Sequence, residues 1–457
     1  MPTKSSNHSF AHLFSGVDAA VPLLNGDKRK YVNLDNAAST PVFKTVQGVV
    51  NNFFTYYSSV HRGTGFKSQI STHAYEVARE TVLQFVGADP ETDICIFVKN
   101  TTEAINKLAR RFPFTKDRNI VLTSGMEHHS NDLPWRTNAN TIHIGLTPNG
   151  QLDVMDFKAK IEQYANQIAL VAITGASNVT GFINPIHHLA ESAHAVGAQI
   201  IVDCAQLAPH RKIKMLPPDD PKHLDYITIS GHKMYAPLGT GALIGRRDTF
   251  EQGDPDQTGG GTVEIVTLNE VVWAEPPDRE EAGSPNTVGA VALAASINQL
   301  EALGMDTVAQ HEADLTAYAL DQLSEVPRLK FFGDKNPKNV NERLGVIPLK
   351  IETIPHFLVA AILGYEFGIG VRSGCFCAHP YILHLLELTS SEAKAVRDNM
   401  VAGDKSDMPG LVRASFGLYN TFEDIDALVG ALYKISIGDY SGEYIQDDST
   451  GEFTPKG

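Results

Sequence analysis

The sequence predicts an α/β fold: a large domain with a mainly parallel sheet sandwiched by helices, then a smaller α+β domain. Two observations carry this. Short apolar runs alternate with stretches of helical period between Ile94 and Ile244, the rhythm of strand–helix–strand units. From about residue 306 that rhythm gives way to a mixed pattern. The chain has 457 residues, 42% of them hydrophobic, enough to bury large cores without disulfides.

The elements follow in order. Residues 1–30 are a mixed arm expected to pack with the small domain. The large domain spans 31–305. Ile94 to Val98 reads as a buried strand. After it, Asn100 with Glu103 three positions on reads as a helix cap, and Ala104, Ile105, Leu108 and Ala109 lie at helical spacing. Further strands are expected at Ile120–Thr123, Ala169–Thr174, Gln199–Val202, Tyr226–Ser230 and Ala242–Ile244. A helix from Ile186 to Val196 is closed by Gly197. The small domain spans 306–439, and the polar, Gly-containing stretch 440–457 reads as a mobile tail.

Composition excludes some classes. The formal net charge of −15 repels phosphate backbones, so no nucleic-acid partner is expected. No apolar run approaches the ~18 residues of a membrane span, and the first residues lack a signal peptide's apolar stretch. Four cysteines are too few for a secreted disulfide framework. A cytoplasmic protein with reduced thiols is expected.

Ligands of open α/β sheets sit beyond the carboxyl ends of the strands, and the chemistry-bearing residues collect there. Asp203 ends one apolar run, and Lys233, in Ser230-Gly231-His232-Lys233, follows the next. Each alone reads better as an ordinary loop residue, a cap or a solvated charge. Together they are the pair that pyridoxal 5′-phosphate (PLP) requires: an amine for a Schiff base and a carboxylate for the pyridinium nitrogen. Thr101 and Thr102 open a helix after a strand, where free N–H groups attract a phosphate, and Ser230 and His232 add donors. His128 also follows a strand and could stack on a ring.

The ordered set LDNAAST (34–40), HRGTG (61–65), NTTEAIN (100–106), MEHHSNDLPW (126–135), SNVTG (177–181), VDCAQ (202–206), SGHKMYAPLGTG (230–241), AGSPNT (282–287) and RSGCFCAHP (372–380) resembles the class V aminotransferase-like PLP enzymes of fold type I. Within them it looks most like the group II cysteine desulfurases, which include selenocysteine lyases. The resemblance covers about residues 22–435. It implies that Lys233 forms the Schiff base, Asp203 pairs with the ring nitrogen and His128 stacks on the ring. Gln206 and Asn178 would contact the ring oxygen or the substrate, and Thr102, Ser230 and His232 the phosphate. Ser284 matches a threonine that reaches the phosphate of a neighbouring subunit, which implies a homodimer. Arg413, in VRASFGLYNT (412–421), would bind the substrate carboxylate. His61, Arg62 and Arg372 would lie near the substrate.

The cysteines decide the reaction. Cys95 and Cys204 sit within or beside apolar strands and read as packing residues. Cys375 and Cys377 lie in a Gly-rich segment with Arg372 nearby and read as exposed loop thiols. No second Cys/His cluster completes a four-ligand site around them, so no metal is expected. The resemblance places the nucleophile at Cys377. L-cysteine would yield L-alanine, and a persulfide on Cys377 would pass to an acceptor protein or small molecule. A selenocysteine substrate, or β-elimination that dispenses with Cys377, remains open.

Two features depart from group II desulfurases: the cysteine at 375 and a longer stretch between Cys377 and Arg413. Both resemble the aminotransferase-like domain of molybdenum-cofactor sulfurases, as do Ser415-Phe416-Gly417 and Thr421-Phe422-Glu423-Asp424. The insert (381–411) is expected to shape access to Cys377.

Overall fold

A computed structural model describes residues 9–61 and 63–456. The large domain is built on a seven-stranded sheet. Its strands are β1 (Asp93–Val98), β2 (Ile120–Ser124), β3 (Asn140–Ile144), β4 (Ile168–Thr174), β5 (Gln199–Asp203), β6 (Tyr226–Ser230) and β7 (Gly241–Arg246). The spatial order is β1-β7-β6-β5-β4-β2-β3. All neighbouring pairs are parallel except those of β7, which runs antiparallel to both β1 and β6. Strands β2, β4 and β6 are buried throughout, and β5 at every residue after Gln199, as unbroken apolar runs in a sheet covered on both faces must be. The polar-tipped β3 carries no such run and was missed by the sequence reading.

Local signals place the helices. Asn100 accepts the Glu103 N–H at 3.0 Å and opens the helix Thr101–Arg111. The Glu103 carboxylate reaches back one residue further than a capping box, to the Lys99 N–H at 2.6 Å. Helix Ile186–His194 is followed by Gly197 at φ 71°, the left-handed stop expected there.

Helices Thr287–Leu303 and Met305–Leu323 meet at 77° at Gly304 (φ 83°), and the second of them carries the chain from one core to the other. Val308 belongs to the large core and Leu315 to the small one. The second core lies on a four-stranded antiparallel sheet of β8 (Leu329–Phe331), β9 (Val346–Ile351), β10 (Arg372–Gly374) and β11 (Leu411–Ser415), ordered β8-β9-β11-β10. The described part of the N-terminal arm touches both cores. Phe14 stacks on Phe43 at 4.5 Å, and the Leu24 N–H donates to Tyr365 O at 2.7 Å. No single helix among the described residues is long and apolar enough to cross a membrane.

The polar stretch after residue 440 forms an ordered hairpin (Tyr444–Gln446 with Phe453–Pro455), which corrects the expected mobile tail. Its backbone finds partners on the small domain. The Ser441 and Gly442 N–H groups donate to the Glu366 carboxylate, Asp448 O accepts the Lys405 N–H, and Gln446 donates to Ser406 O. Composition cannot reveal such long-range bonds.

Candidate active site

A cavity of about 220 Å³ opens at the carboxyl edge of β4, β5 and β6. Lys233 sits in the short turn after β6 and Asp203 at the end of β5, and both line it. Burial pushes the Lys233 amine down to about 8, against the pull of Asp203. Burial raises Asp203, opposed by the Ala205 N–H at 2.9 Å and by Lys233.

One wall is the start of the helix after β1. Thr101 and Thr102 line it with Ser230 and His232. Ser230 Oγ accepts the Thr101 N–H at 2.9 Å, which ties the helix start to the end of β6. Gly241 permits this approach, because a Cβ there would stand 2.8 Å from Asn100 Cα and 2.5 Å from Ile229 O.

His128 faces the cavity with its tautomer fixed. The Ser130 N–H donates to its Nδ1 at 3.1 Å, so the neutral ring carries its proton on Nε2. Burial, then the nearby Lys233 and His129, hold it neutral down to about pH 3. The turn below it is anchored by Glu127. That carboxylate accepts from Ser124, Asn131 and the Thr174 N–H, and burial raises it to about 8. Gln206 donates to Ala37 O at 2.6 Å at the cavity edge.

The opposite wall comes from the small domain. Arg413, on β11, is buried. It donates to Asn178 O at 2.9 Å and to the Asp35 carboxylate at 3.0 Å, and its guanidinium lies 4.8 Å from the centre of the Phe376 ring. Its Nε has no hydrogen-bond partner, an uncompensated donor that is costly to bury. Arg372 is exposed at the rim, 3.8 Å from the other Asp35 oxygen.

Cys377 is exposed and lines the same cavity. Phe376 and Cys377 both adopt left-handed backbone (φ 53° and 54°), which costs side-chain-bearing residues about 1–3 kcal/mol each. Two clamps from the large domain hold them. Asn178 Nδ2 donates to Phe376 O at 2.8 Å, and the His129 N–H to Cys377 O at 2.8 Å. Cys375 is the correction here. It is buried, and its thiol donates to Pro409 O at 2.9 Å. Burial raises it to about 12, so only one of the two loop thiols is exposed. Cys95 and Cys204 are buried packing residues, as expected.

The cavity thus gathers Lys233, Asp203, Gln206, His128, Thr101, Thr102, Ser230, His232, Asn178, Arg413, Arg372 and Cys377. His61 and Ser284 lie elsewhere, in a second cavity with Tyr57 and Gly260. Left-handed backbone at φ 71° sets the His61 ring edge-on to Tyr75 at 5.6 Å, outside its own chain's cavity. Arg62 lies outside the described residues. Asp35, Phe376, Ser130 and Glu127 were missed as site residues. All four lie within motifs read from the sequence, but only the fold brings Phe376 and Ser130 to the cavity wall and sets Asp35 and Glu127 against its residues Arg413 and Thr174.

A mainly parallel sheet carrying its cavity beyond the strand ends, closed by a second domain, is the arrangement of fold type I enzymes. The chain belongs to the class-V aminotransferase family, a PLP-dependent family, whose model matches residues 32–428. It is 35% identical to a probable cysteine desulfurase of Halalkalibacterium halodurans, over 93% of this chain and 97% of that protein. It is 34% identical to a cysteine desulfurase of Serratia proteamaculans, over 92% and 97%. The cysteine desulfurase of Thermococcus onnurineus NA1 superposes with a TM-score of 0.76 at 31% identity, covering 89% of this chain and 95% of that one.

Proposed function

We propose that this chain is a PLP-dependent cysteine desulfurase that converts L-cysteine to L-alanine and leaves the sulfur as a persulfide on Cys377. The observation that supports this most is the meeting of Lys233, Asp203, Arg413 and the exposed Cys377 thiol around one cavity. The cavity's donor set fits PLP. Lys233 would hold it covalently, Asp203 its ring nitrogen, His128 a ring face, and Thr101, Thr102, Ser230 and His232 its phosphate. When bound, PLP supplies an electron sink that makes the substrate α-proton acidic.

The residues divide the remaining work. Arg413, with its unpaired Nε, takes the substrate carboxylate in place of part of its pairing with Asp35. Lys233, held near neutrality by burial, moves the α-proton at Nζ. His128 keeps a proton on Nε2 facing the cavity. The Cys377 sulfur attacks the substrate sulfur, so an S–S bond forms as the Cβ–S bond breaks. Asn178 and His129 hold the nucleophile's turn through its backbone.

Selenocysteine would bind the same groups. Ser284, outside its own chain's cavity, suits a role in a neighbouring subunit of a homodimer. A persulfide that must be handed on to a protein or small-molecule acceptor suits a reducing, cytoplasmic setting. The test is alanine release from L-cysteine by the PLP-loaded protein. Cys377→Ala should lose release while keeping the visible absorbance of bound PLP. Undiminished alanine release would remove Cys377 from the chemistry, and sulfide released with pyruvate in place of alanine would move the reading to β-elimination.

A further inference from the structure

On the opposite edge of the sheet, three side chains converge: His194, His223 and Asp225. His194 ends the helix before β5, and Asp225 immediately precedes β6. His194 Nε2 lies 2.8 Å from one Asp225 oxygen, and His223 Nε2 lies 3.2 Å from the other. Among the described residues, these are the His, Cys, Asp or Glu side chains whose ligating atoms cluster in a group of three, all within 4.8 Å.

The hydrogen bonds around them are informative. His194 Nδ1 donates to Pro221 O at 2.7 Å, and His223 Nδ1 to Asp220 O at 2.7 Å. A carbonyl can only accept, so each Nδ1 carries its hydrogen and each neutral ring turns the Nε2 lone pair toward Asp225. The Ile200 N–H donates to Asp225 Oδ2 at 2.8 Å and orients the carboxylate. Each of the three groups therefore has an outer partner, the arrangement that orients metal ligands.

The two rings stack at 4.2 Å and 16°, which sets their Nε2 atoms side by side toward the one carboxylate. One divalent cation would accept both nitrogens and an oxygen. Ligands about 2.0 Å from a tetrahedral ion stand about 3.3 Å apart, close to the 2.8 and 3.2 Å between each Nε2 and an Asp225 oxygen. Arg246 is the remaining charge facing Asp225, at 3.7 Å, and is itself paired with Asp248. His223 and Asp225, with Asp93 and Arg246, also line a cavity of about 270 Å³.

We propose that His194, His223 and Asp225 form a binding site for a divalent transition-metal ion with imidazole affinity, such as Zn²⁺, remote from the PLP cavity. Two nitrogens and one carboxylate disfavour Mg²⁺ and Ca²⁺, which take oxygen ligands. The ion would tie the end of one helix, the 217–225 loop and the start of β6 together, a structural role.

The test uses PLP-loaded protein carrying Cys377→Ser, so that the exposed thiol cannot compete. Calorimetric titration with Zn²⁺ should give one site per chain, and both His223→Gln and His194→Gln should weaken it at least about tenfold. Co²⁺ at the site should show ligand-field bands without thiolate charge transfer. Zn²⁺ should raise the melting temperature of the parent and not of the variants, whose unaltered PLP absorbance reports that they fold. Unchanged Zn²⁺ affinity in both variants, absence of saturable binding, or a thiolate band with Co²⁺ would overturn the proposal.

Discussion

At the scale of single residues, burial assigns the roles. Cys375 and Cys377 are separated by one residue, yet one thiol is buried against Pro409 O and raised to about 12, and the other is exposed. Brief alkylation of the folded protein at pH 8 should modify Cys377 and spare Cys375, Cys95 and Cys204, as read by peptide mass mapping; equal labelling of both loop thiols would contradict this. Arg413 loses a charge-assisted bond if its planar fork is replaced. Arg413→Lys should raise the KM for L-cysteine about tenfold or more while PLP stays bound. Unchanged KM would remove Arg413 from substrate binding.

His128 links burial to stability. Its folded-state value is pushed to about 3, whereas the unfolded chain takes up that proton near 6.5. Between these limits the unfolded chain binds more protons, so stability is lost as pH falls below about 6.5. His232, lowered to about 4 by burial, acts with the same sign. Urea unfolding of the PLP-free protein at pH 7 and pH 5 should show a larger loss for wild type than for His128→Asn. Identical losses would mean His128 is not desolvated.

At the scale of elements, the insert is a lever on the nucleophile. Helix Ser390–Val401 opens with a capping box between Thr389 and Glu392, yet none of its residues is buried. Its stability is local. The segment after it is attached at both ends of its function: Lys405 and Ser406 join the C-terminal hairpin, Met408 O accepts from His356, and Pro409 O holds Cys375. Replacing residues 390–401 by a short linker, with Pro409 kept, should change how fast reductants or acceptors reach a Cys377 persulfide more than it changes PLP binding. Equal loss of both would deny the insert that role.

The elements also show what was readable in the sequence. Strand ends bearing Asp203 and Lys233 were legible because buried parallel strands are unbroken apolar runs. The cap at Asn100 was legible because capping is local. Strand β3, with two of its five residues exposed and only Ile144 buried, gave no such run. The left-handed turn at Phe376 and Cys377, the burial of Cys375 and the Asp35–Arg413 pair all depend on contacts between segments far apart in sequence. The His194, His223 and Asp225 cluster was missed for the same reason, since its members come from a helix, a loop and a strand start.

For the whole molecule, the second cavity holding His61 and Ser284 lies by the hairpin of Val263–Val266 and Val271–Trp273, which exposes Ile265, Val266 and Leu268. Such an exposed apolar patch suits an interface. Through it the two chains of a dimer would each complete the other's site. Desulfuration stands on Cys377 taking the sulfur. The most direct measurement is a single turnover of the PLP-loaded protein with L-cysteine, followed by alkylation and mass mapping of the 372–397 region in wild type, Cys375→Ala and Cys377→Ala. One added sulfur on Cys377 is expected in wild type and Cys375→Ala, with stoichiometric alanine, and neither product in Cys377→Ala. Alanine without any added sulfur, or sulfur found on Cys375 instead, would contradict it.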